Sequence, residues 1–279
     1  MGWYNKSMYI LIFIFIFLLG TIIGSFLNVV IYRFNTGLPI VKGRSMCMTC
    51  SHKLCWHELI PLFSYLFLRG KCRKCKTSIS KQYFIIELVT GLMFVLIALH
   101  FIQALFVSSA LYVFLVTVFA FIFSILIVIS VYDIRHKIIP DKLVYVFIAI
   151  SFLLIFVNYQ TANPLFVLPS IMAILSGPLF ALPFALLWFV SKGKWMGLGD
   201  AKLMLGLGWM LGPSLGFACV ILSFWIGTIV SLLIMLFNKK KKIGLKTEIP
   251  FAPFLIIGAL LVFLFHIDIF SLVKLFGLN

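Results

Sequence analysis

The 279-residue chain is 63% hydrophobic and only 11% charged, and phenylalanine alone occurs 31 times. Soluble domains carry about 25% charged residues, so no water-facing surface can be assembled from this composition and a soluble globular class is excluded. The net charge of +16, from 23 Lys and Arg against seven acids, reads first as loop placement against a lipid bilayer; no nucleic-acid partner is expected.

A helix needs about 20 apolar residues to cross the hydrocarbon core. The apolar runs predict an all-α polytopic membrane protein with about eight transmembrane helices, at roughly 8–31, 83–101, 109–131, 142–157, 165–191, 201–211, 215–237 and 251–272. The first run is too long for a signal-peptide core, has Lys6 as the only basic residue before it and is followed by Arg33, so it reads as a retained helix. Within it Gly20 and Gly24 form a small-xxx-small pair suited to close helix packing. The run at 201–211 is short and glycine-rich, and reads either as a half-helix or as a part of the span after it. Asn163-Pro164 and Gly212-Pro213 punctuate the tight turns.

With the N-terminus placed outside, 21 of the 23 Lys and Arg fall on the inner side and only Lys6 and Lys274 lie outside. Lys239–Lys242 then serves as a topology anchor. The chain divides into a first helix (1–32), an inner, cytosolic loop (33–82) and a transmembrane domain (83–279).

The loop carries Cys47-x-x-Cys50 and Cys72-x-x-Cys75. Two such pairs can place four thiolates around one zinc ion, and a reducing compartment disfavours disulfides there. A loop too small for a hydrophobic core gains stability from a structural metal. His52, Cys55 and His57 are second-choice ligands, and Cys219, inside an apolar run, is assigned to packing.

Of the seven acids, Glu58 lies in the loop as a solvated or backbone-bonding group. Glu87 lies one turn into the second span, where an acid can snorkel to the interface. Asp141 follows Pro140 at a helix start, a favourable place for a carboxylate, and Glu248 and Asp268 flank the last span. Asp133 ends the third span and Asp200 opens the sixth, at matched depth on the inner edge of the bilayer. Each alone reads as a helix-end acid paired with Arg135 or Lys202. Together, in so acid-poor a chain, they read as a pair that shares a proton and activates a water, because neighbouring carboxylates do not both ionise easily. Gly197 and Gly199, just before Asp200, permit close backbone approach.

These segments carry a resemblance. Gly197-x-Gly199-Asp200-x-Lys202 is similar to the signature of the aspartic type IV prepilin peptidases, and Asp133 with Ile139-Pro140-Asp141 resembles that family's other catalytic segment. Gly24 through Arg33 resembles its N-terminal motif, Leu59-Ile60-Pro61 and Leu68 through Cys72 its zinc loop, and Ile249 through Phe254 the entrance to its last span. The first cysteine pair departs from the pattern in lacking a Pro after Cys47, and Ala252 stands where Gly is common.

The resemblance implies a membrane peptidase that removes the leader of prepilins or pseudopilin precursors on the cytosolic side. Gly197, Gly199, Lys202, Pro140 and Asp141 would support the substrate or the site. It further implies S-adenosylmethionine-dependent N-methylation of the new N-terminus, for which Glu58 and Glu87 are the acids to test; no Gly-rich cofactor loop on a strand–helix unit accompanies them. In the mechanism expected, Asp133 and Asp200 hold a water, one acting as base and the other protonating the leaving amine. Two other classes compete. A transporter would use the two Asp as a proton or ion relay, but near the midplane rather than at helix ends. A zinc-loop scaffold without catalysis would leave the matched pair without a role.

Overall fold

The computed structural model describes residues 3–41, 43–157, 167–237 and 249–268, with only the backbone described for 3–7. The expectations for Asn163-Pro164, Lys239–Lys242, Lys246, Glu248 and Lys274, and for the Lys6 and Lys42 side chains, lie outside the described residues. Among these the structure is helical, and its only β pairings are two isolated bridges, Met46 with Lys53 and Lys71 with Ser78. Away from their ends, helices satisfy their backbone groups internally, as a hydrocarbon environment demands. Five of them are long and apolar enough to cross a membrane. The chain forms two compact units, residues 1–128 and 129–279, divided within one long helix.

The first unit is built on α1 (Trp3–Arg33) and α3 (Lys81–His100), joined by the 33–82 loop with a 3-10 turn (Trp56–Glu58) and a short α2 (Phe63–Phe67). The glycine pair predicted for packing forms the α1–α3 seam. A Cβ on Gly20 would lie 2.9 Å from the Gly91 Cα, and one on Gly24 would lie 2.8 Å from the Glu87 Cα. Only backbone fits at those crossings. Buried Asn28 of α1 donates from Nδ2 to the carbonyls of Gly24 and Tyr83, both at 3.3 Å, and Tyr32 stacks on Tyr83 with centroids 5.1 Å apart. Ser80 caps α3, accepting from the Gln82 N–H. Beyond α3 come α4 (Ala104–Val107) and the start of α5 (Ser109–His136). There the Tyr112 hydroxyl donates to the Ala98 carbonyl at 3.3 Å.

The second unit comprises the end of α5, α6 (Asp141–Leu154), α7 (Ile171–Ser191), α8 (Leu198–Phe237) and α9 (Ala252–Phe265). α8 is interrupted at Gly212, whose φ of 74° and ψ of −177° leave the helical region just before Pro213. An unbroken helix of 40 residues would be about 60 Å long, twice the hydrocarbon thickness. Contacts on α7 locate the reversal. Going up α7, Ile174 and Gly177 meet Trp209 and Leu205 in descending order, whereas Phe180 and Phe184 meet Gly216 and Phe224 in ascending order. The first limb of α8 (198–211) therefore runs antiparallel to α7 and the second (213–237) parallel to it. This resolves the ambiguity of the 201–211 run: it is a separate short helix joined to the next by a glycine turn.

The first limb packs between α6 and α7. A Cβ on Gly206 would lie 2.5 Å from the Phe147 ring of α6, and one on Gly208 would lie 2.7 Å from the Ser176 carbonyl of α7. The Ser176 hydroxyl donates to the Gly208 carbonyl at 2.9 Å. α9 lies against the second limb, where Gly258 faces Ser223 and Cys219; Cys219 is buried, in keeping with its assignment to packing. α6 and α9 have 14 residues each, shorter than the expected runs 142–157 and 251–272.

Candidate active site and metal centre

Asp133 lies in the last turn of α5 and Asp200 in the first turn of α8, and both are buried. The Asp133 carboxylate accepts from the backbone N–H of Ala252, the first residue of α9. The Asp200 carboxylate accepts from the backbone of Gly197 and lies within electrostatic range of Asp133. Both acids thus use helix-start donors, which carry partial positive charge and lack partners within their own helices. Asp200 keeps one buried oxygen, Oδ1, with no hydrogen-bond partner. A buried carboxylate oxygen without a donor costs free energy unless a water or a ligand meets it.

The segments that resemble one family signature meet around this pair. Gly199 abuts the segment before α6: a Cβ there would lie 2.8 Å from the Ile139 Cβ. Pro140 opens α6, its carbonyl accepting from Leu143 and Val144. Lys202 donates to Asp141 Oδ1 at 2.7 Å and lies over the Tyr145 ring, 5.1 Å from its centroid. Lys202 therefore joins the first turns of α6 and α8 through Asp141, where the sequence had offered it as a partner for Asp200. Tyr145 was missed, although its place one turn after Asp141 on the same helix face made it a visible neighbour. The Ala252 N–H was missed too; a backbone donor leaves no mark on residue type.

The four loop cysteines predicted as ligands come together, with sulfurs all within 4.8 Å of one another. Cys47 Sγ and Cys75 Sγ are 3.8 Å apart, close to the ~3.8 Å that separates sulfurs around a tetrahedral ion with ~2.3 Å bonds. Each pair sits in one of two matching turns offset by 25 residues in the sequence. In each, the first cysteine's N–H donates to the carbonyl five residues on (Cys47 to His52, Cys72 to Thr77), and the residue after the second cysteine (Ser51, Lys76) donates back to the first. Both of those residues have positive φ, 53° and 58°. The Thr77 side-chain and backbone hydrogen bonds lower the Cys75 thiol to about 6. At Cys50 the His52 backbone bond lowers the value, but burial and the neighbouring thiols outweigh it and push it to about 11. Backbone bonds from Cys50 and Thr49 hold Cys47 below the ordinary thiol value. The neighbouring thiols thus favour ionisation at Cys47 and Cys75 and oppose it at Cys50; a cation at the centre would favour the thiolate at all four.

Of the second-choice ligands, His52 lies outside this cluster, its Nε2 3.4 Å from Glu58 Oε2. Cys55 and His57 group instead with Glu58, and Arg73 Nη1 is 2.7 Å from His57 Nε2. Glu58 is buried and accepts the Cys55 N–H at 2.8 Å. That bond first, then His52, holds its carboxyl below the usual range. The backbone-bonding reading of Glu58 holds; the solvated one does not. The snorkelling expected of Glu87 is corrected. It is buried beneath the loop and accepts from the Leu62 N–H at 2.8 Å and from Ser25. The seam at Gly24 draws this part of α3 against α1, so the nearest donors lie in protein rather than at the interface.

Two buried carboxylates at helix ends of a polytopic helical membrane protein suit a membrane-embedded peptidase; similarity to known proteins places the chain in that class and gives the transporter reading no support. Residues 120–232 match the Type IV leader peptidase family, and residues 18–101 match the Bacterial Peptidase A24 N-terminal domain. The chain is 32% identical over 257 residues to the prepilin leader peptidase/N-methyltransferase of Bacillus subtilis, covering 92% of this chain and 95% of that protein. It is 32% identical over 275 residues to that of Pseudomonas aeruginosa, covering 86% of each, and 29% identical over 264 residues to that of Vibrio cholerae. No solved structure matches it significantly. The chain belongs to the type IV leader peptidase family.

Proposed function

We propose that the chain cleaves the leader from prepilins or pilin-like precursors at the inner membrane edge, with Asp133 and Asp200 as the catalytic residues. The observation that carries this reading is the pair itself: two buried carboxylates in mutual electrostatic range, one with an orphan oxygen. A water between them would occupy that oxygen. One carboxylate would take the proton from the water as it attacks the scissile carbonyl, and the other would protonate the departing amine. Gly197, Gly199, Pro140, Asp141 and Lys202 would set the α8 start that carries Asp200. The cytosolic orientation rests on the Lys and Arg asymmetry. Incubating the purified protein with a pilin precursor and sequencing the product's N-terminus tests the reading; an intact precursor defeats it.

The four thiolates of Cys47, Cys50, Cys72 and Cys75 suit zinc in a structural role, holding the two turns together. S-adenosylmethionine-dependent N-methylation of the product is supported by the names of the relatives. The cofactor would supply the methyl group. Glu58 and Glu87 each hold loop backbone with one carboxylate oxygen, and the buried Oε1 of Glu58 has no hydrogen-bond partner, so both are the acids to test for a part in methylation. Mass spectrometry of the cleaved product with and without S-adenosylmethionine decides this, and product that is cut yet never methylated leaves a peptidase only.

A further inference from the structure

From α2 through the second cysteine turn runs an exposed surface whose apolar and cationic side chains neither the metal centre nor the carboxylates employ. α2 exposes Phe63, Leu66 and Phe67 by 51, 59 and 84%. At spacings of three and four residues they form one stripe on one side of the helix. Directly after it come Arg69, Lys71, Arg73, Lys74 and Lys76, all exposed. Four of these cations, with Phe67, Leu68 and Cys72, line a cavity of about 280 Å³. The sole acid of the 33–82 loop, Glu58, is buried and bonded to the Cys55 N–H, so it does not offset their charge at the surface.

We infer that α2 and the second cysteine turn dock on an anionic phospholipid surface, with Phe63, Leu66 and Phe67 entering the acyl boundary and the cations from Arg69 to Lys76 holding headgroup phosphates. The loop is tied at both ends to long apolar helices, α1 and α3, so the bilayer is the nearest apolar phase to this stripe. An apolar face bordered by Lys and Arg is the pattern that lies in a membrane interface, and each such cation near an anionic leaflet favours the bound state by about fivefold. Glu87 anchors the segment from within through the Leu62 N–H, just ahead of α2.

The test is hydrogen exchange across residues 60–76 of the full-length protein, without substrate, in phosphatidylcholine nanodiscs and in nanodiscs containing phosphatidylglycerol. Exchange is expected to slow by roughly tenfold or more in the anionic discs and to recover at high salt. The triple variant Arg69→Gln/Lys71→Gln/Arg73→Gln and the single variant Phe67→Ser should each lose the protection, with unchanged metal content showing that the loop stays folded. Equal exchange in both discs overturns the proposal. So does equal protection from inorganic phosphate added to neutral discs, which would mark a site for a soluble anion. Because no cleavage is measured, either result leaves the peptidase reading to its own assay.

Discussion

Replacing Gly199 by alanine tests how tightly Asp200 must be placed. The added Cβ would lie 2.8 Å from Ile139 Cβ, 3.1 Å from its Cδ1 and 3.2 Å from its Cγ1. Ordinary carbon contacts begin near 3.5–4.0 Å, so the start of α8 must retreat by about 1 Å. Asp200 is the next residue. A displacement of about 1 Å at a reacting group can cost roughly 10²-fold in rate, while overpacking costs only about 1–3 kcal/mol of stability. Gly199→Ala should therefore insert normally and lose about two orders of magnitude in kcat/KM for precursor cleavage. Gly197→Ala is the comparison: it keeps the backbone group that Asp200 bonds, and its Cβ would meet Asp200 Oδ2 at an ordinary 3.7 Å, so kcat/KM should change by no more than about threefold. Adding Ile139→Ala to Gly199→Ala removes the Cδ1 and Cγ1 contacts but not the Cβ contact, so partial recovery is expected. If Gly199→Ala cleaves as well as Gly197→Ala, the close approach of Ile139 does not position the carboxylate and the reasoning fails.

Asp133→Asn and Asp200→Asn should each reduce cleavage by at least about 10²-fold with insertion intact, the usual scale for acid–base groups; activity near wild type in either removes the pair. Asp141→Lys and Lys202→Asp should each lower kcat by up to about fivefold, as befits an exposed ion pair, and the double exchange should recover most of it; no recovery would show that the two act separately. Metal analysis should find one zinc ion per chain, and none after Cys47, Cys50, Cys72 and Cys75 are all changed to Ser; unaltered zinc in that variant defeats the assignment. Glu58 has a folded value below its unfolded one, so its stabilisation is present above about pH 4.3 and is lost as pH falls through the folded value. Exchange protection of residues 55–62 should fall across that acidic window in wild type and stay flat in Glu58→Gln; identical profiles would separate Glu58 from loop stability.

The helices and both clusters could be read from the sequence because each follows a local rule. Apolar runs marked the spans, two-residue spacing marked the metal turns, and shared depth singled out Asp133 and Asp200 among seven acids. What escaped the reading depends on partners far along the chain. Lys202 finds Asp141 across 61 positions and Glu87 finds Leu62 across 25, and a charge pattern on one helix does not reveal a donor on another. The reversal at Gly212 was half visible: glycine before proline marks a turn, but only the opposite order of contacts on α7 shows that the chain turns back.

Three of the elements around the carboxylates are short, although α5, which carries Asp133, has 28 residues. α6, the first limb of α8 and α9 each hold 14 helical residues, or about 21 Å of rise against a hydrocarbon core of about 30 Å. Hydrophobic mismatch of that size is met by thinning the surrounding lipid or by apolar turns at the helix ends. Where the lipid thins, water and headgroups come closer to the depth of Asp133 and Asp200, and a substrate helix has less distance to rise before its polar end reaches them. Leaflet thickness thus becomes a variable of the reaction, and lipids of longer acyl chain should slow cleavage at constant headgroup composition.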